Sequence, residues 1–330
     1  MRVRQPTRRQ SFLRWARAHK QENGEMSDKN RLELIRDILF VIGGICLIVG
    51  AVILGKGVVD DLRTKHQQEE LHALMSQAAS ERTLSKPVAS AGTPKEQPAD
   101  PEKPKDAEKP EEEMVPVEEY IETPTSMLPE YAMLYDLNPD IIGWLRIEGT
   151  RIDYPVMQTP ADKWHYLRRD FYGHNNTNGC LFADPQSEVG VGKLSYGYED
   201  GVAPGTNLMI FGHHMRSKEM FGELDLYAQK AYGTAHPVIC FDSLYEHREY
   251  AVMAAFRAEV YYVDQDAFKY YQFFQAENEE QFRYFYDNVK ELSLYDTGVT
   301  AEFGDELITL ITCDNSSEYG RFVVVGKRTQ

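Results

Sequence analysis

Apolar and polar positions along this chain fall into three regimes. Residues 38–55, ILFVIGGICLIVGAVILG, run for 18 positions without a charged or strongly polar side chain. As a helix, a stretch of that length nearly spans a bilayer core of about 30 Å, so the pattern predicts a transmembrane helix. Residues 56–82 continue with helix-forming residues and a thin apolar stripe (Val59, Leu62, Leu71, Leu74, Met75), which reads as a helical stalk or a solvated continuation. Residues 83–116 then hold seven prolines among Lys, Glu, Ala and Ser. That composition buries no core and favours extended chain, so a disordered spacer is expected, lifting the rest of the chain away from the membrane. Aromatic residues are absent between Phe40 and Tyr120 and dense thereafter. A packed domain is therefore expected over residues 117–330.

Within that domain the apolar stretches are short and separated by turn residues. MLPEYAMLYDLNPD reads as a short helix ended before Pro139, and IIGWLRIEGTRIDYPVMQ alternates with period two around an EGT turn, the pattern of a strand pair. GCLFAD, TNLMIFGHH, HPVICFDS, REYAVMAAFRAEVYYV, ELITLITC and RFVVVGKR are further strand candidates. Between residues 266 and 292 the spacing changes: Phe268, Tyr271, Phe282, Phe285, Tyr286, Val289 and Leu292 recur at helical intervals, predicting a helix or a helical pair inserted before the last strands. Many short strands with few helices give a mainly β domain, a closed barrel or a sandwich.

Charge adds a direction to this layout. Residues 1–34 carry nine Lys/Arg against four acids, while the other flank of the apolar run is mixed, which predicts a cytoplasmic basic tail over 1–37 and an outward-facing remainder. A cleaved signal peptide shares the basic start and apolar stretch, but the run is long, starts far from Met1 and lacks a small-x-small cleavage site before Lys56. The basic tail reads as a topology signal with contact to anionic lipid rather than a nucleic-acid arm. Of the net charge of −16, residues 117–330 account for −17, with 17 basic and 34 acidic side chains. Such a domain is a poor polynucleotide binder, so no nucleic-acid partner is expected.

The candidate chemistry lies at strand ends. Cys46 falls in the apolar run, and Cys180, Cys240 and Cys313 lie beyond it with no C-x-x-C spacing. Cys180 and Cys240 sit inside apolar strands and are expected as buried thiols. Cys313 differs, because LITLIT stops there and the polar DNSSEYG comes next. A thiol at a strand terminus is accessible, but it still requires a cation to favour the thiolate, a proton carrier and an oxyanion donor. Arg321, opening the next apolar run after seven intervening residues, returns beside Cys313 if the two runs form a hairpin; a solvated surface arginine is the other reading of the same spacing. Six histidines lie in the expected domain over residues 117–330: His165, His174, His213, His214, His236 and His247. NLMIFGHHM places His213 and His214 at another strand terminus; no acidic or cysteine ligand stands at a matching helical spacing to make them half of a metal site, so no metal is expected.

TLITC followed eight residues later by Arg321, with NLMIFGHHM about 100 residues earlier, resembles the sortases, the cysteine transpeptidases of Gram-positive cell surfaces. NPDIIGWLRIEGTRIDYPVMQ, HYLRRDFYGHNNTNGCLFAD, MFGELDLY and LYDTGV look like the class B branch, and the resemblance covers about residues 120–328. It implies a closed sortase-type β-barrel with an N-terminal helix and an inserted helix, no cofactor, Cys313 as nucleophile, His213 as general acid/base, and Arg321 at the oxyanion. It also allows assistance from Thr312, while His214 stands where class B members often have Asn; Asp314 and Glu318 lie in the same loop. A one-residue shift along a strand reverses a side chain's face, which favours His213 over His214. The implied partners are a surface protein with a C-terminal sorting motif and an amine of a peptidoglycan precursor or of a pilin lysine. A pilin-polymerising enzyme, a cysteine endopeptidase using water and a non-catalytic extracellular binding module are the alternatives. Residues 187–205, SEVGVGKLSYGYEDGVAPG, are longer than many family members carry, and read as a flap over the groove or a plain surface insertion.

Overall fold

A computed structural model of the chain describes residues 28–85, 127–190, 202–262, 264–314, 317 and 319–330. Two compact units result, Met1–Val59 and Asp60–Gln330. The basic tail up to residue 27 and the proline-rich stretch from residue 86 lie outside the described residues, as do residues 191–201 of the long insertion and Glu318.

Helix α1 runs Asp28–Ser85. In the first unit its apolar side chains, Leu39, Phe40, Leu47 and Ile48 among them, are exposed, and among the described residues this is the one helix long and apolar enough to cross a membrane. From Asp60 onward the helix belongs to the second unit and its packing changes. Asp60, Thr64, Leu71 and Ala78 are buried, a set spaced four and seven residues apart along one face. The apolar stripe read from the sequence holds only in part, since Val59 and Leu62 are exposed while Asp60 and Thr64 are covered. The reason is chemical: the barrel surface opposite the first turns offers donors, with the Thr177 N–H and hydroxyl both given to Asp60 Oδ2.

The second unit is a closed barrel in the order β1-β2-β3-β4-β7-β8-β6-β5. Helix α2 (Pro129–Leu137) leads into β1 (Ile141–Arg146) and β2 (Asp153–Met157), an antiparallel pair as the alternation predicted. Then come β3 (Leu181–Ala183), β4 (Asn207–Phe211), a short helix α3 (Lys230–Ala235), β5 (Val238–Ser243) and β6 (His247–Glu259). Helix α4 (Glu279–Leu292) precedes β7 (Leu307–Cys313) and β8 (Gly320–Arg328). The inserted helix thus starts later than its periodicity suggested. Phe268 and Tyr271 flank or join a single 3-10 turn, Tyr270–Gln272, and α4 begins only where Asn278 caps it by accepting the Gln281 N–H at 3.0 Å.

Strands β7 and β8 explain why their sequences are apolar at nearly every position. Ile308, Leu310, Phe322 and Val324 fill the barrel interior, while Leu307, Ile311, Val323 and Val325 pack outward against Phe282, Phe285 and Val289 of α4. A strand covered on both faces has no solvent side to mark with polar residues. The outward, odd-numbered face is the one that runs on to Cys313 and begins at Arg321.

Candidate functional site

Three strand ends converge. In the β7–β8 hairpin Cys313 registers directly opposite Arg321, the pairing expected from the sequence. Strand β4 runs parallel to β7, with Phe211 beside Ile311. The next step is also tied: the Gly212 N–H donates to the Ile311 carbonyl at 3.1 Å, and the Thr312 hydroxyl donates to the Gly212 carbonyl at 2.8 Å. His213 therefore leaves β4 at the level where Cys313 leaves β7. Gly212 is required at this point, because a Cβ there would stand 2.5 Å from Leu181 Cδ2 and 2.6 Å from Phe221 Cδ2.

Each of these side chains has a defined environment. Cys313 is exposed, Arg321 half-buried with Nη1 donating to the Gly320 carbonyl at 2.8 Å. His213 is half-buried, and its Nε2 lies 2.7 Å from the Leu167 carbonyl oxygen. Burial lowers its pKa from the ordinary 6.5; the Leu167 contact opposes that shift and the positive Arg168 adds to it. His214 turns elsewhere, its Nε2 3.2 Å from Asp225 Oδ2. The two adjacent imidazoles thus have separate partners. The chain then reverses through Lys218 and Met220, both in the left-handed region at φ 68° and 53°, where a non-glycine residue costs roughly 1–2 kcal/mol.

Among the assisting residues, the Thr312 hydroxyl is engaged in tying β7 to β4. Asp314 is ion-paired with Arg257 Nε at 2.9 Å, and its N–H donates to the Gly320 carbonyl at 2.9 Å. The hairpin loop is pinned to the end of β6, where Ser317 donates to Glu259 at 3.1 Å and the Val260 N–H to the Tyr319 carbonyl at 3.1 Å. Sequence reading missed Arg257, Asp225 and Tyr270. Tyr270 is buried and its hydroxyl is pushed well above the usual tyrosine range, first by burial, with Arg321 pulling it down and Cys313 among the groups pushing it up. No local signal marks these three, since each reaches the site through strand pairing or loop packing remote in sequence.

The other two thiols outside α1 contrast with Cys313. Cys180 is buried and Cys240 half-buried; burial raises both pKa values, and for Cys240 the adjacent Arg146 pulls the other way. Among the described residues no group of three or more His, Cys, Asp or Glu is arranged to hold a metal ion. The arrangement at Cys313 is suited to nucleophilic acyl transfer: an accessible sulfur, a guanidinium across the strand pair, and an imidazole at the neighbouring strand end.

A family model described as the Sortase domain matches residues 145–329. Sortase B of Listeria monocytogenes is 30% identical over 202 residues, covering 60% of this chain and 73% of its own. Among solved structures, a Staphylococcus aureus sortase B–substrate complex is 28% identical with a TM-score of 0.52, covering 62% of this chain and 86% of its own. A sortase B complexed with triglycine is 27% identical with a TM-score of 0.52, covering 61% and 86%.

Proposed function

This chain belongs to the sortase family, on its class B branch, and is a cysteine transpeptidase; from that premise we propose that Cys313, His213 and Arg321 carry the reaction on a membrane-anchored enzyme. The observation supporting this most directly is the pairing of Cys313 with Arg321 across β7 and β8, with His213 at the adjoining end of β4.

In this reading the Cys313 thiolate attacks the carbonyl carbon of the scissile peptide bond in a C-terminal sorting signal. Charge builds on the carbonyl oxygen, where the Arg321 guanidinium stabilises it with a fixed charge and several donors. The carbon–nitrogen bond breaks as protonated His213 gives its proton to the departing amine, leaving a thioester on Sγ. An acceptor amine, deprotonated by the now neutral His213, attacks the thioester and releases the thiolate. The solved relatives bound to a substrate and to triglycine support a peptide donor and an amine acceptor. The acceptor is an amine of the cell wall, on a peptidoglycan precursor; a pilin lysine would present the same nucleophile. Anchoring rests on the exposed apolar helix of the first unit, with lipid as its partner and the catalytic domain outside the cell.

Incubation of the full chain with a sorting-signal peptide and triglycine tests this. A thioester on Cys313 seen by mass spectrometry, absent in Cys313→Ala, and a peptide–triglycine product are expected. A hydrolysed peptide with no amine product would replace transpeptidation with water-dependent cleavage, and no adduct at all would leave a binding module.

A further inference from the structure

The turn of α1 from Asp60 to Lys65 touches two loops, and both lead to His213. The first is the hairpin that comes after the histidine, closed by a Phe221 N–H donating to the His213 carbonyl at 3.0 Å and by a bridge between His214 and Met220. Near its tip the Ser217 hydroxyl donates to Asp61 Oδ1 at 3.2 Å, and Arg151 Nη1 donates to the Ser217 carbonyl at 2.9 Å. On its return limb the buried Glu219 lies 3.6 Å from Lys65 Nζ and accepts from the Tyr154 hydroxyl at 2.7 Å.

The second loop, residues 176–179, lies behind the carbonyl that holds the imidazole. Gly179, at φ 62°, is pressed so close that a Cβ would stand 2.5 Å from the Leu167 oxygen, the atom that His213 Nε2 meets at 2.7 Å. Asp60 Oδ2 accepts the Thr177 N–H at 3.1 Å and its hydroxyl at 2.7 Å. Asn178 donates from Nδ2 to Asp61 Oδ1 at 2.9 Å and to the Thr64 hydroxyl at 3.1 Å. One oxygen, Asp61 Oδ1, thus receives a donor from each loop. Asp60 is 1% exposed and Thr64 4%, with Asp61 half-buried at their edge, so the Asp60 and Thr64 part of the contact is covered and water does not readily replace it.

We propose that Asp60 and Asp61 are positioning residues for His213: they hold the histidine's own hairpin and the backing of the Leu167 carbonyl in one register, making the first turns after the apolar run part of the acid–base apparatus. The proposal rests on His213 being the acid–base group. Along the chain, residues 56–59 separate the apolar run from Asp60. Further along α1, Gln68 Nε2 donates to the Asp153 carbonyl at 2.6 Å and His72 pairs with the Asp153 carboxylate at 3.1 Å; these hydrogen bonds dock the helix on β2.

The test uses the full chain in lipid nanodiscs, reading thioester formation and, separately, the titration of the His213 ring by NMR. The titratable and charged groups near that ring include Arg168 and His165 on the turn beside Leu167, the His214–Asp225 pair on the hairpin, and Cys313 at the end of β7. Asp61→Ala is expected to lower kcat about tenfold with KM within about twofold, because the acid is misplaced and not the substrate. Its His213 midpoint should rise toward 6.5 as the loosened loops admit water. Asp61→Asn, which keeps Oδ1, should restore both readouts; Thr177→Val should move them in the same direction as Asp61→Ala; and Gln68→Ala should lower Tm alone. Unchanged kcat and an unchanged midpoint in Asp61→Ala, with only Tm reduced, would overturn the proposal and leave the helix a stabiliser. Should the wild-type chain form no thioester while Asp61→Ala still shifts the midpoint, the catalytic reading fails and the positioning survives.

Discussion

Arg321 and His213 differ in how far their residue type is replaceable. Lysine at 321 keeps the positive charge and loses the planar fork, so Arg321→Lys should retain thiol alkylation by iodoacetamide while kcat/KM for transpeptidation falls about 100-fold. The neighbouring histidines separate by partner: His213→Gln is expected to remove transpeptidation, whereas His214→Gln loses the contact with Asp225 and should cost less than about tenfold. The pH dependence derives from His213's burial. A histidine whose folded pKa is depressed loses its proton at a lower pH than an exposed one, and His213 must hold that proton to give it to the leaving amine, so the alkaline limb of kcat/KM set by His213 should lie below 6.5. The same shift makes a stability contribution that is present above the ordinary pKa and lost as pH falls through the folded one. An alkaline limb at or above 6.5 would show that another group governs it.

At the scale of elements, α4 is the brace beneath the site strands. Phe285 is buried and stacks on Phe273 with ring centroids 4.2 Å apart, over the outward face of β7 and β8. Phe285→Ala should destabilise by about 3–5 kcal/mol, read as a lowered urea midpoint with an unchanged slope. Asn278→Ala removes the helix cap alone and should cost about 1 kcal/mol by the same measurement. The strands themselves were legible in sequence because β7 and β8 are apolar at most positions and β1–β2 alternates. Helix α4 was legible from Phe282 to Leu292, and the helical reading failed only in the first half of residues 266–292: Phe268 and Tyr271 lie at helical intervals from one another, yet they precede the Asn278 cap and flank or join a 3-10 turn. Periodicity records which residues are buried, not which backbone delivers them.

For the whole molecule, the first unit predicts fractionation. The full chain should sediment with membranes and a chain beginning at residue 56 should remain in the supernatant, a difference driven by the exposed apolar face of residues 38–55. A membrane-impermeant maleimide should label Cys313 in intact cells; labelling only after lysis would reverse the proposed orientation. Charge acts at this scale too, since the acidic balance over residues 117–330 repels polyanions whatever the details of the surface.

Sequence alone determined the apolar helix and the strand-rich domain, and offered a cysteine and an arginine at the two ends of one loop, because those depend on local spacing: a run of 18 apolar residues, period-two alternation, a short polar loop between two strands. The resemblance carried His213 to the same place from 100 residues away. Only the tertiary structure decided what surrounds them. It paired Asp314 with Arg257 and His214 with Asp225, put Tyr270 near Arg321 and Cys313, and set the turn of α1 at Asp60 and Asp61 against the loops around His213. Those contacts join segments up to 156 residues apart and are fixed by barrel closure and helix docking, which no pattern along the chain records.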